Sequence, residues 1–477
     1  MSVTVDPASF RDPSGFVFRR DGVLYRQVQP RYGRDYDLLL GSGLYDSLAD
    51  AGLLVRHHEV DPSAAVSPGA YRVLKPEPVP FISYPYEWCF SQLKDAALAT
   101  LQIQKTALGL GLGLKDASAY NVQFVGGRPV FIDTLSFERY EEGSPWAAYG
   151  QFCRHFLAPL ALMSRVDIRQ GQLLRLYVDG IPLDLAARLL PGSSKLNPGL
   201  LAHIHLHGGA QKRCGDGEAQ RRSAGRTVSR AAIMGLLDSL EGTIRKLHWQ
   251  PEGTEWADYY GHTNYTDAAM ESKRRLVGEM LDAVTPAPRA VWDLGANTGA
   301  FSRVAAERGA DVVAWDVDPA AVERNYLECR KSGAGRILPL LQDLTSPSPG
   351  LGWASEERRS LLQRGPADVV MALALVHHLA ISNNVPLPAV ARFLQAAGKC
   401  LIIEFVPKAD SQVQRLLAGR PDIFDGYTRE GFEAAFAPYF ETLRVADVTG
   451  SQRSLFLLRA RPMAAILEDR GSAPYLN

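Results

Sequence analysis

Several acidic residues and a pair of histidines stand where apolar runs of this chain break off, and they define the chemistry open to it. The stretch "AVWDLGANTGAFSRVAA", residues 290–306, reads as a short strand, a turn with glycines at 295 and 299, and the start of a helix. Gly295 and Gly299 let the backbone turn sharply and approach a ligand closely, because no Cβ stands in the way. The turn matches neither phosphate cradle. A dinucleotide turn needs G-x-G-x-x-G and a phosphate loop needs G-x-x-x-x-G-K-[ST]. Asp293, two residues ahead of Gly295, also repels a pyrophosphate. An acid beside a close-approach glycine suits a ligand that carries positive charge.

The same setting recurs downstream. Asp316 in "VVAWDVDP" and Asp343 in "LLQDL" end the next two apolar runs, with Asp318 a rival to Asp316 and Leu344 following Asp343. A carboxylate can accept both hydroxyls of a ribose. Aspartate is also a common helix N-cap in such loops, so each acid alone has a structural reading. "ALALVHHLAI" ends a further run with His377 and His378. Imidazoles titrate near neutral pH and can act as general bases, or they pack under the loop. Glu404 in "LIIEFVPKAD" can orient a histidine or a substrate, or cap the following helix.

These residues need a scaffold. "RAVWDLG", "ADVVAWDVD", "RILPLLQDL", "ADVVMALAL" and "KCLIIEFV" alternate with helical stretches, and "RSLFLLRA" follows near the end. That order predicts a doubly wound α/β domain whose ligands bind beyond the carboxyl ends of its strands.

The motifs in this order resemble the class I methyltransferases that use S-adenosylmethionine (SAM). By that resemblance Asp293, Gly295, Asn297 and Gly299 wrap the methionine end of SAM, Asp316 or Asp318 takes the ribose hydroxyls, and Asp343 takes the adenine amino group with Leu344 nearby. The resemblance also sets His377 and His378 beside the methyl group, in the family's fourth motif. It covers roughly residues 250–460 and implies a seven-stranded Rossmann-like sheet. "ALALVHHL" is not the [N/D/S]-P-P-[Y/F] motif of enzymes that methylate exocyclic amines or glutamine amides. Cys400 lies inside an apolar run, unlike the nucleophile of the pyrimidine-C5 enzymes. Ahead of the first motif, "EWADYYGHTNYTDAAMESKRRLV" resembles the segment that covers SAM in small-molecule methyltransferases. Tyr260 and Tyr265 there line a pocket or belong to a helix core.

The first half carries a different pattern. "LGLKDASAYNVQFVGGRPVFIDTLSFE", residues 112–138, follows a long helical run and spaces Asp116 and Asn121 as D-x-x-x-x-N, with Asp133 after a short apolar strand. This resembles the catalytic loop and the metal-holding acid of the protein-kinase-like fold. Upstream, "GFVFRRDGVLYRQV" and "PVPFISYPYEW" look like small-lobe strands and a hinge. The departures are large. There is no G-x-G-x-x-G, Arg26 and Lys75 are weak substitutes for the V-A-I-K lysine, Asp133-Thr-Leu stands for D-F-G, and Leu-Lys precedes Asp116. The reading is a degenerate kinase-like α+β domain for recognition or regulation, with Asp116, Asn121 and Asp133 as a nucleotide or substrate site. In an unrelated α+β domain the same residues are Asx turns and a structural aspartate. A kinase-like region joined to a methyltransferase also resembles bacterial proteins related to a host-specific nodulation methyltransferase.

Composition sets the frame. With 477 residues, 46% of them hydrophobic, the chain can bury more than one core. The expected division is a kinase-like domain over 1–207, a linker and connecting helix over 208–245, and the methyltransferase domain over 246–477. Lys plus Arg equals Asp plus Glu at 52 each, so no global field favours nucleic acid or a membrane surface. The basic run from Lys212 to Arg230 has no interleaved aromatic and reads as a solvated loop. Five scattered cysteines without a CxxC pair fit a reducing compartment. Neither an export signal nor a long apolar span is apparent, so a cytoplasmic protein is expected. "HIHLH" places His203, His205 and His207 on one face if it is a strand, and scatters them if it ends a helix. No metal site is assigned. The expected function is methyl transfer from SAM to an oxygen or nitrogen of a small or mid-sized acceptor, or of a peptide. The alternatives are an ATP/Mg-dependent phosphotransferase in the first half and a binding scaffold without turnover.

Overall fold

In a computed structural model, which describes residues 2–207, 227–251 and 266–462, most quoted apolar runs become strands. The chain divides into two units: Met1–Gln250 with Gly350–Arg358, and Pro251–Pro349 with Arg359–Asn477.

The first unit opens with a five-stranded antiparallel sheet built from β1 (Val3–Val5), β2 (Gly15–Arg20), β3 (Val23–Val28), β4 (His57–Val60) and β5 (Arg72–Pro76). Its order is β1-β2-β3-β5-β4. The β2–β3 hairpin follows from Asp21-Gly22, both at positive φ (49° and 82°), the turn that matches the twist of paired strands. Helices Gly33–Gly41 and Leu44–Asp50 lie between β3 and β4 in the chain. The long helix Phe90–Gly109 buries Leu93, Ala97, Leu101 and Leu108 on one stripe. Two small antiparallel pairings follow, β6 (Leu112–Leu114) with β9 (Phe137–Arg139) and, between them in the chain, the hairpin of β7 (Val122–Val125) and β8 (Arg128–Phe131).

"HIHLH" is helical: Leu201–Leu206 form a π-helical turn, which removes the strand alternative. The imidazoles divide accordingly, with His203 and His207 both against the Tyr149 ring and His205 turned elsewhere. His203 bridges the Tyr149 and Ser239 hydroxyls at 2.9 and 3.0 Å, whereas His205 meets the Ser194 hydroxyl at 2.8 Å. Among the described residues no group of three His, Cys, Asp or Glu is placed to hold a metal. Residues 230–246 form a helix capped by Ser229, and within the first unit Lys105 of the long helix donates to its Asp238 and Glu241. Most of the basic run lies outside the described residues.

The second unit is a seven-stranded sheet made of β10 (Ala290–Leu294), β11 (Asp311–Asp316), β12 (Ile337–Leu341), β13 (Ala367–Ala372), β14 (Gly398–Phe405), β15 (Phe440–Asp447) and β16 (Ser454–Ala460). The order is β12-β11-β10-β13-β14-β16-β15. Strands β10 to β14 pair in parallel, and the β15–β16 hairpin adds antiparallel to β14. Parallel strands are covered on both faces, which is why they read as continuous apolar runs. Val291, Val312, Val369, Met371, Ile402 and Leu457 share one core with Leu276, Val277, Met280 and Leu281 of the helix Asp267–Asp282. The strand order reverses between β10 and β13, which opens a crevice beyond their carboxyl ends. No helix among the described residues is long and apolar enough to cross a membrane.

Candidate active site

A cavity of about 370 Å³ occupies that crevice. The ends of four strands and the loops after them line it: Asp293 and Gly295 to Asn297 at β10, Asp316 and Val317 at β11, Gln342 to Thr345 after β12, and Leu373 to Leu375 after β13. Three of the acids singled out in the sequence, Asp293, Asp316 and Asp343, therefore share one wall with Gly295, Asn297 and Leu344.

Local geometry explains each placement. Gly295 has φ +76° and Asn297 φ +50°, and a Cβ on Gly295 would meet the Leu375 side chain at 3.4 Å. Gly299 has φ +80° but does not line the cavity; a Cβ there would fall within 2.5–2.8 Å of the Asn325 side chain, so its hydrogen leaves room for a neighbouring helix. Asp316 accepts the Asn297 N–H on Oδ2 at 2.7 Å and the Asp318 N–H on Oδ1 at 2.9 Å. Asp318 instead caps the helix Pro319–Ser332, accepting the Ala320 N–H at 2.8 Å, and is absent from the lining. Asp293 accepts the Ser302 hydroxyl at 2.6 Å. Asp343 accepts the Thr345 N–H and hydroxyl at 2.8 and 2.6 Å.

Burial pushes Asp293 and Asp316 each up to about 6. For Asp293 the Ser302 hydroxyl and Lys273 pull back, and for Asp316 the N–H groups of Asp318 and Asn297 do so.

The histidines separate. His378 lines the cavity, and burial lowers it to about 4, with Arg453 adding to the effect. His377 is fully buried outside the lining, its ring 4.1 Å from that of His378 and both its nitrogens without a hydrogen-bond partner. Burial likewise holds it well below its ordinary value. Glu404 is also fully buried and outside the lining; it accepts the Lys273 ammonium at 2.7 Å. Glu404 and His377 thus reach the cavity only through Lys273 and His378. Tyr260 and Tyr265 lie outside the described residues.

Lys273, Met270, Phe301, Gln342 and Asn383 also line the cavity and were not singled out in the sequence. Lys273 had a signal: it sits on the apolar stripe of its helix, between buried Ala269 and buried Leu276 and Met280, where a cation is out of place.

In the first unit, Asp116, Asn121 and Asp133 lie together: Asp116 bonds Asn121, and Asn121 and Asp133 both meet Ser136. Asn121 donates to the Ser136 hydroxyl at 3.3 Å, and both acids accept hydrogen bonds from the second backbone N–H after them, from Ser118 and Leu135 at 2.9 Å each. Arg26 of β3 lies 2.6 Å from Asp133 and 3.6 Å from Asp12, while Lys75 is exposed. Burial pushes Asp133 up, but Arg26 and the bonds from Leu135 and Ser136 outweigh it and hold the carboxyl below its ordinary range. Asp116 is raised by burial. Magnesium needs carboxylates open to it. The Asp133 carboxylate is already neutralised by a guanidinium, so this set does not fit the ion as it stands.

No protein-family model matches the chain. It is 36% identical over 457 residues to the nodulation protein NoeA of Rhizobium meliloti strain 1021, a match covering 94% of each chain. A shorter stretch of 128 residues is 30% identical to the 23S rRNA (uracil(1939)-C(5))-methyltransferase RlmD of Alcanivorax borkumensis, covering 24% of this chain and 28% of that one. Among solved structures, magnesium protoporphyrin IX methyltransferase (ChlM) from Synechocystis PCC 6803 with bound SAH aligns at 19% identity, over 43% of this chain and 93% of that chain, with a TM-score of 0.31.

Proposed function

The chain belongs to the family of the nodulation protein NoeA, and from that premise we propose that its second unit transfers a methyl group from SAM to an oxygen or nitrogen of a small or mid-sized acceptor, or of a peptide. The observation that carries the reading is the convergence of Asp293, Asp316 and Asp343, from the ends of three neighbouring strands, on one cavity.

The donor set fits SAM and opposes phosphates. Asp293 suits an ammonium or sulfonium. Asp316 takes the backbone N–H groups of Asn297 and Asp318, with a weaker one from Val317, and of the about four acceptor positions of a carboxylate this leaves room for a ribose hydroxyl. Asp343 and Leu344 suit the amino group and face of a purine. Gly295 supplies a cradle that a Cβ would fill, against Leu375. When bound, SAM supplies a methyl carbon made electrophilic by its sulfonium. The chain's part is to hold the acceptor in line and to take its proton. His378 is the imidazole that lines the cavity and is assigned that second task; burial keeps its ring neutral at pH 7 and makes it a weaker base than a free imidazole. The described cysteines Cys89, Cys153, Cys329 and Cys400 are buried, and none lines the cavity, which weighs against the covalent route to a pyrimidine C5.

A second reading concerns the first unit. Its strand order, the helices between β3 and β4, and the Asp116, Asn121, Asp133 cluster support a kinase-like scaffold. The Arg26–Asp133 pair favours recognition over phosphoryl transfer.

Calorimetric titration of the full chain with SAM tests the main reading. Binding in the micromolar range that Asp316→Ala abolishes is expected. A wild-type chain that takes up no SAM would overturn it.

A further inference from the structure

The cavity offers its ligand three carboxylates and, among the described lining residues, one Lys or Arg: Lys273. Its helical neighbours Arg274 and Arg275 are exposed, with side chains 50% and 57% accessible, whereas that of Lys273 is 4% accessible. Burying an ammonium is costly unless it is paired. Glu404 Oε2 meets it at 2.7 Å, and its Nζ stands 4.7 Å from the Phe301 ring centroid, a second lining residue. Glu404 is itself held in a charged chain, with Arg453 Nη1 at 4.0 Å and Asp410 bound to Arg453 at 2.7 and 3.1 Å. Such a chain fixes the direction of the Lys273 side chain. Burial pulls the ammonium below its ordinary range while Glu404 opposes this.

The amino-acid end of SAM is a zwitterion. Asp293 answers its ammonium but repels its carboxylate, so a site of acids alone would reject half of that group. Resting on the methyl-transfer reading, we infer that Lys273 binds the carboxylate of the ligand's amino-acid end, and that Glu404 is the residue that positions Lys273 for it.

The test is equilibrium binding of SAM and of decarboxylated SAM, which keeps sulfonium, ammonium, ribose and adenine and lacks the carboxylate. Full-chain wild type, Lys273→Arg, Lys273→Met and the double variant Lys273→Met/Glu404→Gln are compared by calorimetry. The double variant removes both members of the buried pair, so it leaves no lone charge to unfold the core or repel the ligand. Wild type is expected to prefer SAM by about ten- to a hundredfold. Lys273→Met and the double variant are expected to lose that preference while binding the decarboxylated ligand within about threefold of wild type. Lys273→Arg is expected to retain part of it. A preference that survives in the double variant would overturn the role of Lys273 and leave the methyl-transfer reading intact. A wild type that binds neither ligand would overturn both.

Discussion

The backbone N–H of Asn297 donates to the Asp316 carboxylate at 2.7 Å, tying the glycine turn after β10 to the acid that ends β11. Asn297 is held at φ +50° in the same turn. The turn after β10 and the end of β11 are therefore joined by one bond, and a change at Asp316 reaches the turn as well as the proposed ribose position.

Asp316→Asn should weaken SAM binding by about a hundredfold or more, through lost charge-assisted bonds. Asp318→Ala, two residues away, should leave SAM affinity unchanged and lower stability by about 0.5–2 kcal/mol, the cost of a lost N-cap. Calorimetry and thermal melts on both variants separate the two acids. Equal losses of affinity would mean that the cap and the ribose acceptor have been confused.

Asp293 and Asp316, both raised to about 6, should make binding pH-dependent. A cationic, hydroxyl-bearing ligand takes the ionised forms, and each acid alone costs about tenfold between pH 7 and pH 5, so the SAM dissociation constant should weaken up to about a hundredfold over that interval and level off above pH 7. Their folded pKa values lie above the unfolded aspartate value of about 3.9. Their contribution to stability is therefore present below about pH 4 and lost as pH rises through about 6. The gain in melting temperature on adding SAM should grow across the same interval. A pH-independent dissociation constant would contradict the assignment.

His378→Gln should lower turnover by about 10²–10⁴-fold with SAM affinity retained, the usual contribution of a positioned base. His377→Leu should keep turnover and match or exceed wild-type stability by about 1 kcal/mol, because it removes two buried ring nitrogens that have no partner. Single-turnover rates and melts on each variant decide this, and the reverse pattern would exchange the two roles.

Arg26→Ala takes the guanidinium from the Asp133 carboxylate, which keeps its bond from Leu135, and should destabilise the first unit by about 1–3 kcal/mol. The wild-type chain should neither hydrolyse Mg-ATP nor bind it more tightly than ATP without the metal. Metal-dependent nucleotide binding would instead mean that Arg26 yields its place to magnesium.

Much of the second unit was legible because its signals are local. An apolar run that ends in an aspartate marks a buried parallel strand and its exit, and β10, β11 and β12 fall where "RAVWDLG", "ADVVAWDVD" and "RILPLLQDL" stand. Strand β15 was harder to see. It is an edge strand whose residues from Glu441 to Asp447 are mostly exposed, so no apolar rhythm announces it.

The chain by itself determined which residue types stand at the strand ends, since neighbours in sequence suffice to end a strand and start a helix. Only the tertiary structure decided which of them meet. Asp318 precedes Pro319 and so carries the mark of a helix N-cap, but only the packed sheet turned Asp316 to the cavity. Gly295 and Gly299 share a left-handed φ, yet one spares the cavity and the other spares Asn325. Lys273 and Glu404 stand 131 residues apart, and their pairing depends on a helix packing against a sheet assembled from the whole unit. Burial, and with it the charge and direction of each of these groups, is set by partners that lie close in space and far along the chain.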